Sequence, residues 1–342
     1  MARSLPTLAD TSDRKLTDSY GRRLTDLRVA LTDRCNFRCV YCIPDEHNNW
    51  IPRSEILTYE EIERIVAAGV DMGIKKVRLT GGEPLRRRDL PVLVEKLGRI
   101  PGLEDFALTT NGYFLPQMAR DLADAGLRRV TLSLDSMRTA KFALLTGRDA
   151  LDKVLEGIEA ARTAGLGPIK INCVVIRGFN DDEVLDFAAF ARENALSVRF
   201  IEFMPLDGRP DWNRQQVVSG AEMLATIRSA YDVVAADPET PSETARRYRF
   251  ADGAPGEVGF ITTITQPFCD GCSRLRLTAD GKLRTCLFSR NTHDLKAIVR
   301  GGASADDIKQ FLRATVLLKE AAHGINEPGF LPSAESMSSI GG

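Results

Sequence analysis

Three thiols fall close together at Cys35, Cys39 and Cys42, in the stretch DRCNFRCVYC. A second set, Cys269, Cys272 and Cys286, lies in PFCDGCSRLRLTADGKLRTC with C-x2-C-x13-C spacing. Of the seven cysteines only Cys173 stands apart, in the apolar run KINCVV, where an inert core thiol is expected. Three thiolates can hold zinc or an iron–sulfur cluster. Structural zinc asks for a fourth ligand. The three histidines, His47, His293 and His323, show no regular metal spacing, and only His47 lies near the first triplet. A cubane held by three cysteines instead leaves one iron open to another molecule. For the second triplet, a zinc knuckle completed by Asp270 or His293 stays an alternative.

Two further stretches could do chemistry. In LTGGEPL, 79–85, Gly81 and Gly82 let a ligand approach the backbone closely, and Glu83 can accept a hydrogen bond from an ammonium group. Beside the second triplet, Arg274 and Arg276 alternate with Leu275 and Leu277, so both guanidiniums share one face of a strand. Guanidinium forks match phosphate oxygens. Taken alone, the R-L-R run also reads as a solvated edge strand.

The elements that must position these residues follow a β-α rhythm. LRVALT, KVRLTGG, DFALTTNG, RRVTLSLDS, PIKINCVV and SVRFIEF read as strands, each followed or separated by helical periodicity. Thr58 and Glu61 form a capping box ahead of the first helix. Six such steps predict a parallel α/β sheet, either a barrel or an open doubly wound sheet. Alternation favours the barrel. Arg28 and Thr32, Arg78 and Thr80, Thr109, Ser133 and Asp135, and Lys170 and Asn172 share a polar face, while Val29, Leu79, Leu108, Leu132 and Ile171 take the other. A packed eight-stranded barrel fills its interior with branched apolar side chains. A polar inner face therefore predicts an incomplete (β/α)6 TIM-type barrel around a wet cavity. After about residue 205 the chain becomes turn-rich, and a smaller C-terminal α+β cap is expected there. The expected divisions are a polar leader at 1–23, a core at 24–205 and a C-terminal region at 206–342.

The chain has 342 residues, 43% of them hydrophobic, which is ample for one large core. Its net charge of -1 predicts no general affinity for nucleic acid or anionic membrane. No apolar run approaches a membrane span, and the N-terminal stretch has no apolar signal region, so a cytoplasmic location is expected. Clustered thiols in that reducing compartment bind metal more often than they form disulfides.

The first triplet with LTGGEPL resembles the radical S-adenosylmethionine (SAM) enzymes. The resemblance implies a 4Fe–4S cluster on Cys35, Cys39 and Cys42, with SAM chelating the open iron and giving a 5′-deoxyadenosyl radical. LTDRCNFRCVYC, VRLTGGEPLRRR, TTNGYFL, SLDS, RFIEFMPLDG, FCDGCSRLRLT and the terminal Gly341-Gly342 narrow it to the molybdenum-cofactor biosynthesis protein A family, the GTP 3′,8-cyclases. That resemblance runs from about Leu24 to the last residue. It implies a lyase in which a radical removes the 3′ hydrogen of GTP and the ribose radical attacks C8 of guanine. Tyr41, Gly82, Glu83, Ser133 and Met204 would serve SAM. Cys269, Cys272 and Cys286 would hold a second 4Fe–4S cluster that meets the guanine. Arg28, Arg78, Thr109, Lys170, Arg274, Leu275 and Arg276 would contact GTP, with Arg28, Arg274 and Arg276 in catalytic roles. The paired glycines would thread into the active site. The implied partners are an external electron donor and a downstream cyclic pyranopterin monophosphate synthase, with the protein a monomer or homodimer. Asp135 and Asn172 receive no role. A peptide-modifying radical SAM maturase and a non-enzymatic zinc module are the rival readings.

Overall fold

Strand β1 (Asp26–Ala30) shows how the sequence builds the sheet. Leu27 and Val29 are buried, while Asp26 and Arg28 take the opposite face. The same alternation continues in β2 (Lys76–Thr80), β3 (Asp105–Thr110), β4 (Arg129–Ser133), β5 (Lys170–Val175) and β6 (Ser197–Glu202). The structure, a computed structural model, describes residues 15–43, 50–206, 212–333 and 335–341. His47, most of the leader at 1–23 and Gly342 lie outside the described residues.

Helices α1 (Tyr59–Asp71), α2 (Leu90–Gly98), α3 (Leu115–Asp124), α4 (Thr139–Thr146), α5 (Leu151–Thr163) and α6 (Val184–Asn194) connect the six strands. The capping box expected at α1 is present, with Thr58 accepting from the Glu61 N–H and Glu61 from the Thr58 N–H. Val29, Leu79, Leu108, Leu132, Ile171 and Cys173 all join one large apolar core, as alternation predicts.

The C-terminal region differs from the expected cap. It contains α7 (Gly220–Arg228), β7 (Val233–Ala235), β8 (Arg246–Phe250), β9 (Glu257–Ile261), β10 (Arg274–Leu277), β11 (Lys282–Arg284), β12 (His293–Asp294), α8 (Leu295–Arg300), α9 (Ala305–Val316) and α10 (Met337–Ile340). Its strands do not form a separate layer. Among the described residues all twelve strands make one sheet in the order β12-β11-β10-β1-β2-β3-β4-β5-β6-β9-β8-β7. Strand β10 pairs parallel with β1, and β9 pairs parallel with β6, so the parallel section runs over eight strands. Antiparallel strands flank it on both sides.

Register matters for the site. Arg276, Arg28, Arg78, Ala107 and Arg129 are successive partners across β10, β1, β2, β3 and β4. In-register residues of neighbouring parallel strands present their side chains on the same face. A smaller apolar cluster of Leu206, Val217, Ile264, Phe288 and Ile325 packs beside Met204, Cys286 and Met337. No helix among the described residues is long and apolar enough to cross a membrane.

Candidate active site

The polar face of the sheet lines a cavity in two adjoining parts. The larger, about 260 Å³, is lined by loops at the C-terminal ends of the strands. The smaller, about 160 Å³, lies toward the strand starts. Arg28, Thr109, Asn172, Thr244, Ile261 and Arg274 line both. These residues include β1 and β10 from one end of the parallel section and β9 from the other, so the sheet curls around the space. Thr32 departs from the expected polar face. It is buried and accepts a hydrogen bond from the Arg34 N–H at 3.2 Å.

All six cysteines of the two triplets line the larger part. Cys35, Cys39 and Cys42 lie on the loop after β1. The Phe37 N–H points at the Cys35 sulfur at 3.3 Å, and Asn111 Nδ2 lies 3.7 Å from it. Phe37 packs edge-on against Tyr113 and Phe142, which fixes the loop to the rim. Burial, then the Glu83 carboxylate, pushes the Cys35 thiol up to about 11. Burial, then Cys42 and Asp135, pushes Cys39 well above the ordinary range. Thiols crowded with carboxylates in a dry site resist ionisation alone. A bound cationic centre reverses that preference, so the donor set fits a metal group.

Cys269, Cys272 and Cys286 come from the β9–β10 loop and the segment after β11. Burial raises the Cys272 thiol, but Arg274 and Lys319 outweigh it and bring it down to about 7. Arg274 Nη2 lies 3.3 Å from its sulfur. Arg22 holds the Cys269 carbonyl at 2.9 Å, and Lys319 donates to the Arg274 and Thr285 carbonyls. Among the described residues no three His, Cys, Asp or Glu side chains converge closely enough to hold a single metal ion. Both triplets border the larger part of the cavity.

Tyr41, Gly82, Ser133 and Met204 line the same space. The Tyr41 hydroxyl donates to Asp135 Oδ2 at 2.5 Å, and Asp135 Oδ1 accepts from the Val174 N–H at 2.8 Å. Burial raises the Asp135 carboxyl to about 6. Asp135 thereby fixes the ring beside Cys42, and Asn172 lines both parts of the cavity. The glycine pair has a closer neighbour than any ligand. A Cβ at Gly82 would lie 2.5 Å from the Arg34 carbonyl oxygen, so these glycines let the turn pack on the cysteine loop.

Glu83 differs from its expected place. It is fully buried and does not line the cavity. Its carboxylate accepts from Thr110 Oγ1 at 2.7 Å, the Asn111 N–H at 2.8 Å and the Leu85 N–H at 3.0 Å. Burial raises it to about 7. These bonds tie the loop after β2 to the loop after β3. Leu275 also differs: its side chain is in the core, between the two arginines that face the cavity.

The smaller part is a bed of cations. Arg28, Arg78, Thr109 and Lys170 are where alternation places them. Arg78 donates to Thr109 Oγ1 at 3.2 Å and Thr131 Oγ1 at 2.9 Å. Lys76, Arg129 and Arg199 join them. None was singled out in the sequence, although Arg199 interrupts the apolar run SVRFI, which was a usable signal. Burial, then Arg276, Arg78 and Arg274, holds Arg28 well below the ordinary arginine range. Burial followed by neighbouring guanidiniums lowers Arg78 to about 10 and Lys170 to about 8. Arg276 also falls to about 10. Such a buried, cation-rich channel is matched by a polyanion.

The tail reaches this site. Arg276 donates to the Gly341 carbonyl. Gly341 has φ 81° and sits so close that a Cβ would lie 2.7 Å from Thr80 Cγ2.

Comparison with known proteins agrees with this geometry. Residues 29–191 match the radical SAM superfamily, and residues 196–325 match Molybdenum Cofactor Synthesis C. A GTP 3′,8-cyclase of Acidothermus cellulolyticus is 51% identical over 85% of this chain and 81% of that protein. One from Rhodopirellula baltica is 44% identical over 96% and 92%. Among solved structures, Streptococcus suis SuiB shares the fold at TM-score 0.60 and 12% identity, over 89% of this chain and 68% of that one.

Proposed function

This chain belongs to the GTP 3′,8-cyclase family, and from that premise we propose that it converts GTP to (8S)-3′,8-cyclo-7,8-dihydroguanosine 5′-triphosphate, the first step of molybdenum cofactor biosynthesis. The observation that carries this reading is that two cysteine triplets and a row of basic side chains line two adjoining cavities with shared walls. Cys35, Cys39 and Cys42 would hold the iron–sulfur cluster that binds SAM, and Cys269, Cys272 and Cys286 a second one. With SAM bound at the first triplet, that cluster would supply the electron that yields a carbon-centred radical able to take hydrogen from an unactivated C–H bond.

The protein's own residues do the rest. Arg28, Arg78, Lys76, Lys170, Arg199 and Thr109 hold the triphosphate in the smaller part of the cavity, which directs the guanosine toward the second triplet. Arg274 and Arg276 reach the substrate from β10, with Leu275 anchoring their strand. Tyr41, Gly82, Ser133 and Met204 shape the SAM pocket, while Glu83 positions it through the loops it ties. Gly341 sets the Arg276 guanidinium. Burial of these groups strengthens each charge contact and limits water near a reactive radical.

The wider reading has four parts. Strands β1 to β6, from 24–205, form the incomplete barrel, and the region 206–342 extends its wall through β9 and β10 and carries the second cluster. The protein acts in the cytoplasm and takes electrons from an external donor. Its product passes to a cyclic pyranopterin monophosphate synthase. It works as a monomer or homodimer.

The test is anaerobic. Protein reconstituted with iron and sulfide is given SAM and dithionite, with and without GTP, and products are followed by mass spectrometry. The expected result is GTP-dependent 5′-deoxyadenosine and a product isomeric with GTP. SAM cleavage that leaves GTP unchanged would remove the substrate assignment.

A further inference from the structure

The phosphate end of the cavity is not bare cation surface. The segment between β7 and β8 brings Glu239, Thr240, Ser242, Glu243 and Thr244 to its wall. Glu243 is the informative member. Its Oε1 lies 2.9 Å from Arg247 Nε and 4.0 Å from Arg199 Nη2, and its Oε2 accepts from the Glu239 N–H at 2.8 Å.

The two arginines differ in what else they have. Arg247 also pairs with Glu257 at 2.9 Å and Glu239 at 3.2 Å, and donates to the Asp237 carbonyl at 2.9 Å. It keeps partners if Glu243 leaves. Among the described residues Glu243 is the one carboxylate within 4.0 Å of Arg199, with Glu257 and Glu239 acting on it from farther off, and the Arg199 Nε is buried without a hydrogen-bond partner. A buried guanidinium with a donor to spare and no carboxylate closer than 4.0 Å is poised to change partners.

Charge count points the same way. Seven basic and four acidic side chains line this part of the cavity, an excess of three positive charges. A nucleoside triphosphate carries about four negative charges near pH 7, since a terminal phosphate holds up to two. With Glu243 turned away the excess becomes four and the channel is balanced. With Glu243 in place, a terminal phosphate at Arg199 would face a carboxylate across a dry gap.

We propose that Glu243 is an internal counter-ion to Arg199, displaced when the terminal phosphate of a bound triphosphate reaches the far end of the cation row, and that this exchange selects triphosphates over shorter phosphates. The inference rests on the reading of this cavity as a GTP site. A monophosphate spans less of the row and leaves Glu243 on Arg199. Before binding, the carboxylate shields the guanidinium from stray anions. After binding, the segment stays tethered through Arg247.

The test measures binding without turnover, by equilibrium dialysis of anaerobically reconstituted protein with GTP and GMP. Glu243→Gln should bind GTP about tenfold more tightly than wild type and GMP equally well, because a competing charge is gone only at the terminal-phosphate position. Unchanged or weaker GTP binding, or an equal change for both nucleotides, overturns the proposal and makes Glu243 a structural partner of Arg247. Wild-type protein that binds no GTP would instead overturn the substrate reading itself. A second measurement needs no variant. Inorganic tripolyphosphate added to wild type should speed amide exchange in the segment 236–245, since displacing Glu243 frees the Glu239 N–H. Unchanged or slower exchange there would also overturn the proposal.

Discussion

At Lys170 the protein keeps a cation where burial and two guanidiniums, Arg199 and Arg129, oppose it, and its proton is held only to about pH 8. A polyanion favours the charged form, so the bound protein keeps the proton to higher pH. Above about pH 8 the free protein must take up a proton before binding. GTP affinity should therefore fall as pH rises through about 8, approaching tenfold per unit. Lys170→Arg should flatten that limb, because arginine stays charged. Binding curves from pH 7 to 9.5 check this; a flat wild-type profile would place Lys170 away from the phosphates. The alternation that located Lys170, Arg78 and Arg28 applies equally to Lys76 and Arg199, yet those two were not singled out. A strand-opening lysine looks like a solvated end, and a single arginine among Val198, Phe200 and Ile201 looks like an exception. Glu83 failed the other way. Its place beside two glycines suggested a ligand contact, and nothing local announces that Thr110 and Asn111, from another loop, saturate its carboxylate.

Among the elements, α5 shows how closely a helix can approach the site. A Cβ at Gly157 would overlap the Gly112 carbonyl oxygen, in the loop whose Asn111 reaches Cys35. Helix propensity alone would have Gly157→Ala stabilise the protein by about 1 kcal/mol. Backbone overlap should win and destabilise it by about 1–3 kcal/mol, read as a lower melting temperature. A higher melting temperature would show that α5 has room to move. The six β-α steps up to β6 were legible because each strand is local and alternates. Strands β9 and β10 were not legible as extensions of the same sheet. EVGFI and RLRL are short runs among turns, and their parallel pairing with β6 and β1 spans long stretches of chain that no local pattern reports.

Taken whole, the molecule is nearly neutral, at net charge -1, yet it gathers its functional cations on the inner face of one curled sheet. The C-terminus closes that arrangement by bringing Gly341 to the ends of β1 and β2, where its carbonyl satisfies Arg276. Removing Gly341 and Gly342 should leave Arg276 without that partner. Turnover should drop by about tenfold or more while GTP affinity stays within about threefold, since the phosphate contacts lie elsewhere. Equal losses in binding and turnover would mean that the tail supports the fold and not the chemistry.

If the two triplets and the cation row present one ribose carbon of GTP to a radical formed at the first triplet, the hydrogen removed from C3′ must end in 5′-deoxyadenosine. The most direct measurement uses GTP deuterated at C3′, with anaerobic reconstituted protein, SAM and dithionite, and weighs the 5′-deoxyadenosine formed. One deuterium is expected in the 5′-deoxyadenosine. Cyclised product accompanied by unlabelled 5′-deoxyadenosine would contradict it.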